Sequence, residues 1–363
     1  MPYVRRVPHE RAFAASEPLA WFTTPGGTRA DGVLATGLVE TTDRLSALDD
    51  GSFWALVVDF EGRVTCARFA DVVRAPLPSP GTAWPALTGT WSTSLDRAEY
   101  VAACEEVRRR IADGDVYQVN VCRVLEHPLA QQADLLALAA RTTVANPAPY
   151  ASFLRLPGLE VVCASPELLL ERVGRDVTTG PIKGTAPTAA ELLPKDVDEN
   201  VMIVDLARND LSTVCVPGTV RVPDLLRAEE HPGLVHLVSR VSGRLRDNLS
   251  WSDVLAAVLP AASVTGAPKS TALSAIADLE PVPRGPYCGA IGWVHGDRCR
   301  LAVGIRTFWT TDDDAGRRVL RFGTGAGITW GSDPQGEWRE TELKAARLVG
   351  LASGVPGHLI AAR

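Results

Sequence analysis

The residues able to do chemistry begin with carboxylates. Glu199 stands near the start of a probable helix, in line with Ile203 and Leu206 on one face, so its side chain points partly inward. Near the C-terminus Glu337, Glu340, Lys344 and Arg347 share one helical stripe. Two glutamates at i, i+3, joined by a glutamate of another helix, could hold Mg2+, a hard ion that takes few protein oxygens and keeps room for waters and substrate. The same spacing also fits a surface ion pair between Glu340 and Lys344, and a first-turn acid at Glu199. Lys183 lies in TTGPIKGTAP, between Pro181 and Gly184. A lysine on a rigid turn that faces a closed, dry pocket becomes a nucleophile; most lysines are only solvated charges.

Anion-holding features follow. In LAVGIRTFW, Arg306 shares a strand face with Ala302, Gly304 and Phe308, and small neighbours leave room for a carboxylate gripped by the guanidinium. FGTGAGITWGSDP reads as a glycine loop whose backbone N–H groups, around Gly325 and Gly327, could approach an anion. It is no P-loop, because G-x-x-x-x-G-K-[ST] is absent. In SVTGAPKSTALSAI, Thr265 and Pro268 mark a helix start, with Lys269 adding charge.

These residues need elements to hold them. Trp54–Phe60 and Arg63–Phe69 read as a hairpin. A Pro/Gly-rich stretch from Ala75 to Pro85 reads as a linker, which divides the chain into a short β-rich region, 1–90, and a larger catalytic region, 91–363. Asp96–Ala112 has helical spacing. DVYQVNVCRVLEH alternates, with Tyr117, Val119 and Val121 on one face and the amides of Gln118 and Asn120 on the other. Helices are expected over Lys195–Leu211, Trp251–Leu259, Pro268–Leu279 and Glu337–Leu351, a hairpin around Gly296-Asp297, and a strand over Leu320–Thr324. Strands dominate without regular βαβ alternation, so the fold class is α+β.

Composition narrows the function. With 37 Lys+Arg against 43 Asp+Glu, the net charge is −6, which argues against nucleic acid or an anionic membrane as partner. No apolar run reaches the roughly 20 residues of a membrane helix, and the N-terminus lacks a signal-peptide core. The seven cysteines show no C-x-x-C spacing and read as buried thiols in a cytoplasmic protein.

The order of the motifs carries more than any one of them. GDVYQVN, ASPELLLER, PIKGT, KDVDENVMIVDLARNDLSTVCVPGTV, HLVSRVSG, SVTGAPKSTA, RGPYCGAIGW, GIRTFW and GTGAGITWGSDPQGEWRETELKA run from Gly114 to Ala345. In that order they resemble the chorismate-utilising enzymes: anthranilate synthase component I, aminodeoxychorismate synthase component I, and the isochorismate and salicylate synthases. The resemblance implies the anthranilate synthase component I-like fold, large antiparallel sheets flanked by helices, with the site between two halves. It implies Mg2+ held by Glu199 and Glu340 with Glu337 close by, bridging to the ring carboxylate of chorismate. Tyr287 and Arg306, with backbone around Gly325 and Gly327, would hold the enolpyruvyl carboxylate. Glu167 would be the acid, His236 and Lys344 would lie near the ring and the metal, and Thr185 and Thr265 would line the pocket.

Two positions sort the subfamilies. Relatives that add water carry a lysine base where this chain has Gln118, which cannot act as one. PIKGT places Lys183 where anthranilate synthases look like PIAGT, and the lysine marks aminodeoxychorismate synthases. The resemblance thus implies addition of Lys183 at ring carbon 2, loss of the carbon-4 hydroxyl with help from Glu167, and attack of ammonia at carbon 4 to give 4-amino-4-deoxychorismate, on the route to 4-aminobenzoate and folate. No G-x-C-x-G elbow occurs, so the ammonia is expected from a separate glutamine amidotransferase subunit. The chain departs from the family pattern at Ala186, where an arginine is usual, and at Ala261-Ala262, which replace a glycine pair.

Overall fold

The computed structural model describes residues 16–24, 31–186, 188–192, 194–231, 234–313 and 315–354. The N-terminal portion forms β1 (Leu19–Thr23), β2 (Gly32–Thr42), β3 (Phe53–Val58) and β4 (Val64–Ala75). After β5 (Ser92–Thr93) come α1 (Arg97–Ala112), β6 (Gln118–Pro128) and α2 (Leu135–Ala145). Five strands follow, β7 (Tyr150–Leu156), β8 (Leu159–Ser165), β9 (Leu168–Val173), β10 (Asp176–Gly180) and β11 (Ile182–Ala186). Then come α3 (Pro194–Ser212), β12 (Arg221–His231), β13 (Leu234–Arg244), α4 (Trp251–Val258), β14 (Gly266–Ala267) and α5 (Lys269–Leu279). The chain closes with β15 (Ala290–His295), β16 (Arg298–Val303), β17 (Thr307–Asp312), β18 (Arg318–Ile328) and α6 (Pro334–Ser353).

All strand pairings among the described residues are antiparallel. Followed from neighbour to neighbour they make one ribbon: β12, β13, β10, β9, β16, β15, β3, β4, β2, β1, β7, β8, β17, β18, β6. β11 pairs with β13 at one end, and β14 pairs with β6 at the other. The ribbon folds back on itself. Its inner faces share a core that includes Trp54, Leu56, Leu154, Val161, Val241 and Leu301. Helices α2 and α6 pack against a second cluster with Phe153, Phe308 and Phe322, and α1 and α5 against a third with Val119, Val121 and Ala326. Each fully buried Leu, Val or Phe contributes about 1.5–3 kcal/mol, and this burial is what holds the two ends of the ribbon close. The α+β class is as expected, and all seven cysteines are buried free thiols.

Three local expectations change. FGTGAGI is not a loop: Gly323, Gly325 and Gly327 lie inside β18, paired with β6 from Val319↔Pro128 to Ile328↔Val119. Their small size serves close packing, since a Cβ on Gly323 would sit 2.1 Å from the Tyr287 ring and one on Gly325 would sit 2.6 Å from the Cys122 sulfur. LAVGIRTFW is not one strand. It breaks between β16 and β17, because Gly304 presses on the Pro286 carbonyl and Arg306 takes φ +52°. Ala302 and Phe308 therefore lie on different strands, and the single face expected to join them to Arg306 does not exist. Thr265 does not cap α5 either; Pro268 occupies the N-cap and the Thr265 hydroxyl donates to the Ala261 carbonyl, 2.7 Å away.

Candidate active site

The two ends of the ribbon meet at Lys183. The PIKGT segment forms β11, whose pairing with β13 shifts register between Ile182 and Thr185. A bulge of this kind re-aims a side chain. Gly184 completes the bend: its φ is +87°, and a Cβ there would lie 2.7 Å from the Asp196 Cβ on α3. Only glycine allows that conformation and that approach together. Lys183 consequently reaches across to β18 and β6. A Cβ on Gly327 would be 3.0 Å from its Nζ and 2.9 Å from Gln118 Nε2. Its Nζ is 3.9 Å from Glu199 Oε2 on α3. Asn200, next along α3, ties the Lys183 carbonyl (3.4 Å) and the Leu237 carbonyl (2.8 Å) together, and its own amide oxygen accepts from Ser239.

Glu167 occupies the turn from β8 to β9, where the chain passes from one half of the ribbon to the other. It is 4% exposed, and Ser263 donates to its Oε1 at 2.6 Å. Burial lifts its pKa to about 7, against the lowering pull of the Ser263 hydroxyl and of the Lys183 and Lys344 ammonium groups. A carboxyl poised there can give and take a proton near neutrality. Gln118 is fully buried, and among the described residues neither of its side-chain amide atoms has a hydrogen-bond partner. Beside Lys183, this buried amide offers both a donor and an acceptor to a polar group.

Helix α6 forms the opposite wall. Lys344 donates to the Gly325 carbonyl at 3.0 Å and pairs with Glu340 at 2.7 Å. The recess disfavours its charge, but Glu340 and Glu337 outweigh this and hold its pKa above the usual lysine value. Glu337 is buried one turn before Glu340. The helix is fixed by Arg123 of β6, which bonds Glu342 and Thr341 and stacks 4.0 Å above the Trp338 ring. Breaking such a buried pair costs about 3–5 kcal/mol. Arg284 does the same for the Thr265 segment, donating to the Val264 and Asn120 carbonyls and to Glu280, which in turn accepts from the Cys122 N–H.

The structure therefore brings Lys183, Glu167, Glu199, Gln118, Gly325, Gly327, Glu340 and Lys344 around one recess. The Arg306 carbonyl accepts from the Ala164 N–H at 3.1 Å, while its guanidinium has no hydrogen-bond or ion-pair partner among the described residues, and burial, with Arg347 nearby, lowers its pKa. An arginine so placed is ready for an anion. Tyr287 is buried with its ring against Gly323, and its hydroxyl accepts from the Cys122 thiol at 3.8 Å. His236 is buried on β13 opposite Thr185, whose side chain lies outside the described residues. Thr265 is fully buried and accepts from the Asn120 N–H, so it braces the wall beside β6. Among the described residues no three His, Cys, Asp or Glu side chains form a preassembled metal cage. Sequence reasoning missed Ser263, Asn200, Arg123 and Arg284; all four lie within or beside the ordered motif blocks, which was the signal available.

A family model described as chorismate binding enzyme matches residues 55–350. The chain belongs to this family. It is 34% identical over 339 residues to an aminodeoxychorismate synthase component 1 of Salmonella typhimurium, covering 86% of this chain and 72% of the relative. It is 39% identical over 298 residues to an anthranilate synthase component 1 of Streptomyces coelicolor, covering 76% of this chain and 57% of the relative. The chain thus spans little more than half the length of the second relative. Among solved structures, the menaquinone-specific isochorismate synthase of Escherichia coli superposes with a TM-score of 0.78 at 21% identity, over 93% of this chain and 90% of that one. Anthranilate synthase component I of Streptococcus pneumoniae superposes at 0.73 and 22%, over 96% and 95%. These two share the fold, as expected from the motif order.

Proposed function

We propose that the chain is the chorismate-aminating component of an aminodeoxychorismate synthase, converting chorismate and ammonia to 4-amino-4-deoxychorismate. The observation that carries this reading is Lys183, which the β11 bulge aims into the recess that Glu167 and Gln118 also face. A lysine and a carboxyl with a pKa of about 7 are the pair that a two-step substitution needs. Lys183 Nζ, unprotonated, bonds to ring carbon 2; the ring double bond shifts, the carbon-4 C–O bond breaks, and Glu167 gives its proton to the departing oxygen, which leaves as water. Ammonia then bonds to carbon 4, the double bond returns, Lys183 leaves carbon 2 with its electron pair, and Glu167 recovers a proton from the new ammonium group. Atoms and charge balance, and both groups end as they began.

Arg306 and Tyr287 would hold the enolpyruvyl carboxylate, and His236, Thr185 and Thr265 would shape the wall beside the ring. For Mg2+, the donors would be the hard carboxylate oxygens of Glu199, Glu340 and Glu337, the first two standing beside Lys183 and Lys344. Bound there, the ion would supply charge neutralisation for the ring carboxylate. Ammonia would come from a separate glutamine amidotransferase subunit.

Anthranilate synthase component I is the second reading, favoured by the 39% identity to such a relative. The two differ in product. The test is incubation with chorismate, Mg2+ and excess ammonium, with the product identified by mass. An aminated product that keeps its enolpyruvyl group supports the proposal; free pyruvate with fluorescent ortho-aminobenzoate replaces it by the second reading.

A further inference from the structure

Asn200 lies inside α3, one residue past Glu199, and is 1% exposed. Asparagine is a poor helix former, and burying its amide costs free energy unless the polar atoms find partners. Here they do. Nδ2 donates to the Leu237 carbonyl at 2.8 Å and to the Lys183 carbonyl at 3.4 Å, and Oδ1 accepts from the Ser239 hydroxyl at 2.5 Å. That hydroxyl accepts in turn from the Leu226 N–H at 2.9 Å, and the Ser239 N–H donates to the Pro181 carbonyl at 3.1 Å. One side chain therefore joins α3, β11 and β13, and Ser239 carries the link on to β12.

The join falls at the β11 bulge. Ile182 pairs with Val238 and Thr185 with His236, so Lys183 and Gly184 together stand opposite Leu237 alone. Two residues against one interrupt the ladder, and the Asn200 amide spans the carbonyls of Lys183 and Leu237 at that interruption. The neighbouring Glu199 meets the other end of the same lysine, with Oε2 3.9 Å from Nζ. Helix α3 thus touches Lys183 both at its backbone and at its amine. The lysine stem is long, so a small rotation of its peptide becomes a large displacement of Nζ. We propose that Asn200 is a positioning residue for Lys183: it fixes the bulge through the lysine's own carbonyl and so sets where the amine stands. The effect on turnover rests on the amination reading above; the effect on the lysine itself rests on this geometry alone.

Asn200→Leu, close in volume and without a donor, tests it. A misplaced nucleophile lowers turnover without weakening substrate binding, so kcat for amination should fall about a hundredfold while the chorismate KM stays within about twofold. Val204→Ala, a core truncation one turn further along α3, is the control: it should lower the melting temperature yet leave kcat within about twofold. Acetic anhydride labelling of Lys183 without chorismate, mapped by peptide mass, reads the amine directly and should be several-fold faster in Asn200→Leu than in wild type. A kcat for Asn200→Leu that matches wild type, or that falls no further than in Val204→Ala, overturns the proposal and leaves the amination reading standing. If wild type forms no aminated product, that reading fails, and the labelling alone decides: an unchanged rate at Lys183 overturns the positioning role. Should Asn200→Leu not fold, Ser239→Ala takes its place, since it frees the Asn200 amide from its anchor; about a tenfold loss of kcat at constant KM is expected, and none overturns the proposal.

Discussion

The two walls of the recess are built in opposite ways. On the Glu167 wall the acid is 4% exposed, held by Ser263, and pushed up to about 7 by burial. On the α6 wall Glu340 and Lys344 pair at 2.7 Å while staying 45% and 46% exposed. A dry wall makes each hydrogen bond and each proton count; a wet wall lets charged groups exchange partners at low cost. The difference separates two tasks. On the proposed reading, proton transfer would belong to the sealed side, and holding a charged substrate and its counter-ion to the open side. Lys183, with its side chain 13% exposed and 3.9 Å from Glu199, stands between them.

The comparison breaks most easily at Glu167. Glu167→Gln should lower amination by about 10²–10⁴-fold, the usual worth of a general acid, measured as product formed from chorismate and ammonium. The same variant should gain stability relative to wild type as pH rises. Between the ordinary carboxyl value of 4.5 and about 7, the folded chain keeps a proton that the unfolded chain has lost, so the wild-type contribution is lost through that window. Melting curves of both proteins at pH 5 and pH 8 check the sign. A difference that shrinks towards pH 8 would show that the wall is not dry.

Gly327→Ala is expected to cost roughly a hundredfold in turnover with little loss of stability, because its Cβ would crowd the flexible ends of Lys183 and Gln118. Ser263→Ala should move the alkaline limb of the pH–rate profile, expected near pH 7, to higher pH, since the Ser263 hydroxyl lowers the Glu167 pKa. The smallest effect belongs to the open wall. Lys344→Met loses the half-exposed pair with Glu340 and the hydrogen bond to the Gly325 carbonyl, and should change stability by only about 1 kcal/mol, read from denaturant midpoints. A loss of several kcal/mol there would erase the contrast between the walls.

Much of this was legible in the sequence because motif order survives where single motifs are ambiguous. PIKGT announced both a lysine and the glycine that its bend requires, and the stripe Glu337, Glu340, Lys344 announced its helix. Arg306 was singled out through its small neighbours, but the break at Gly304 was not legible, since alternation alone cannot show that the Pro286 carbonyl packs against that glycine. The glycines of β18 looked like a loop for the same reason: their cause is the Tyr287 ring and the Cys122 sulfur, which are distant in sequence. Ser263 and Asn200 act through hydrogen bonds that no spacing rule reports.

The central claim is that Lys183 itself bonds to the substrate ring. Intact-protein mass spectrometry of the chain incubated with chorismate and Mg2+, without ammonia, tests it most directly. The account predicts a gain equal to chorismate less one water, mapped to Lys183, absent in Lys183→Ala and discharged when ammonium is added. Full amination activity in Lys183→Ala, with no adduct on the wild-type chain, would contradict it.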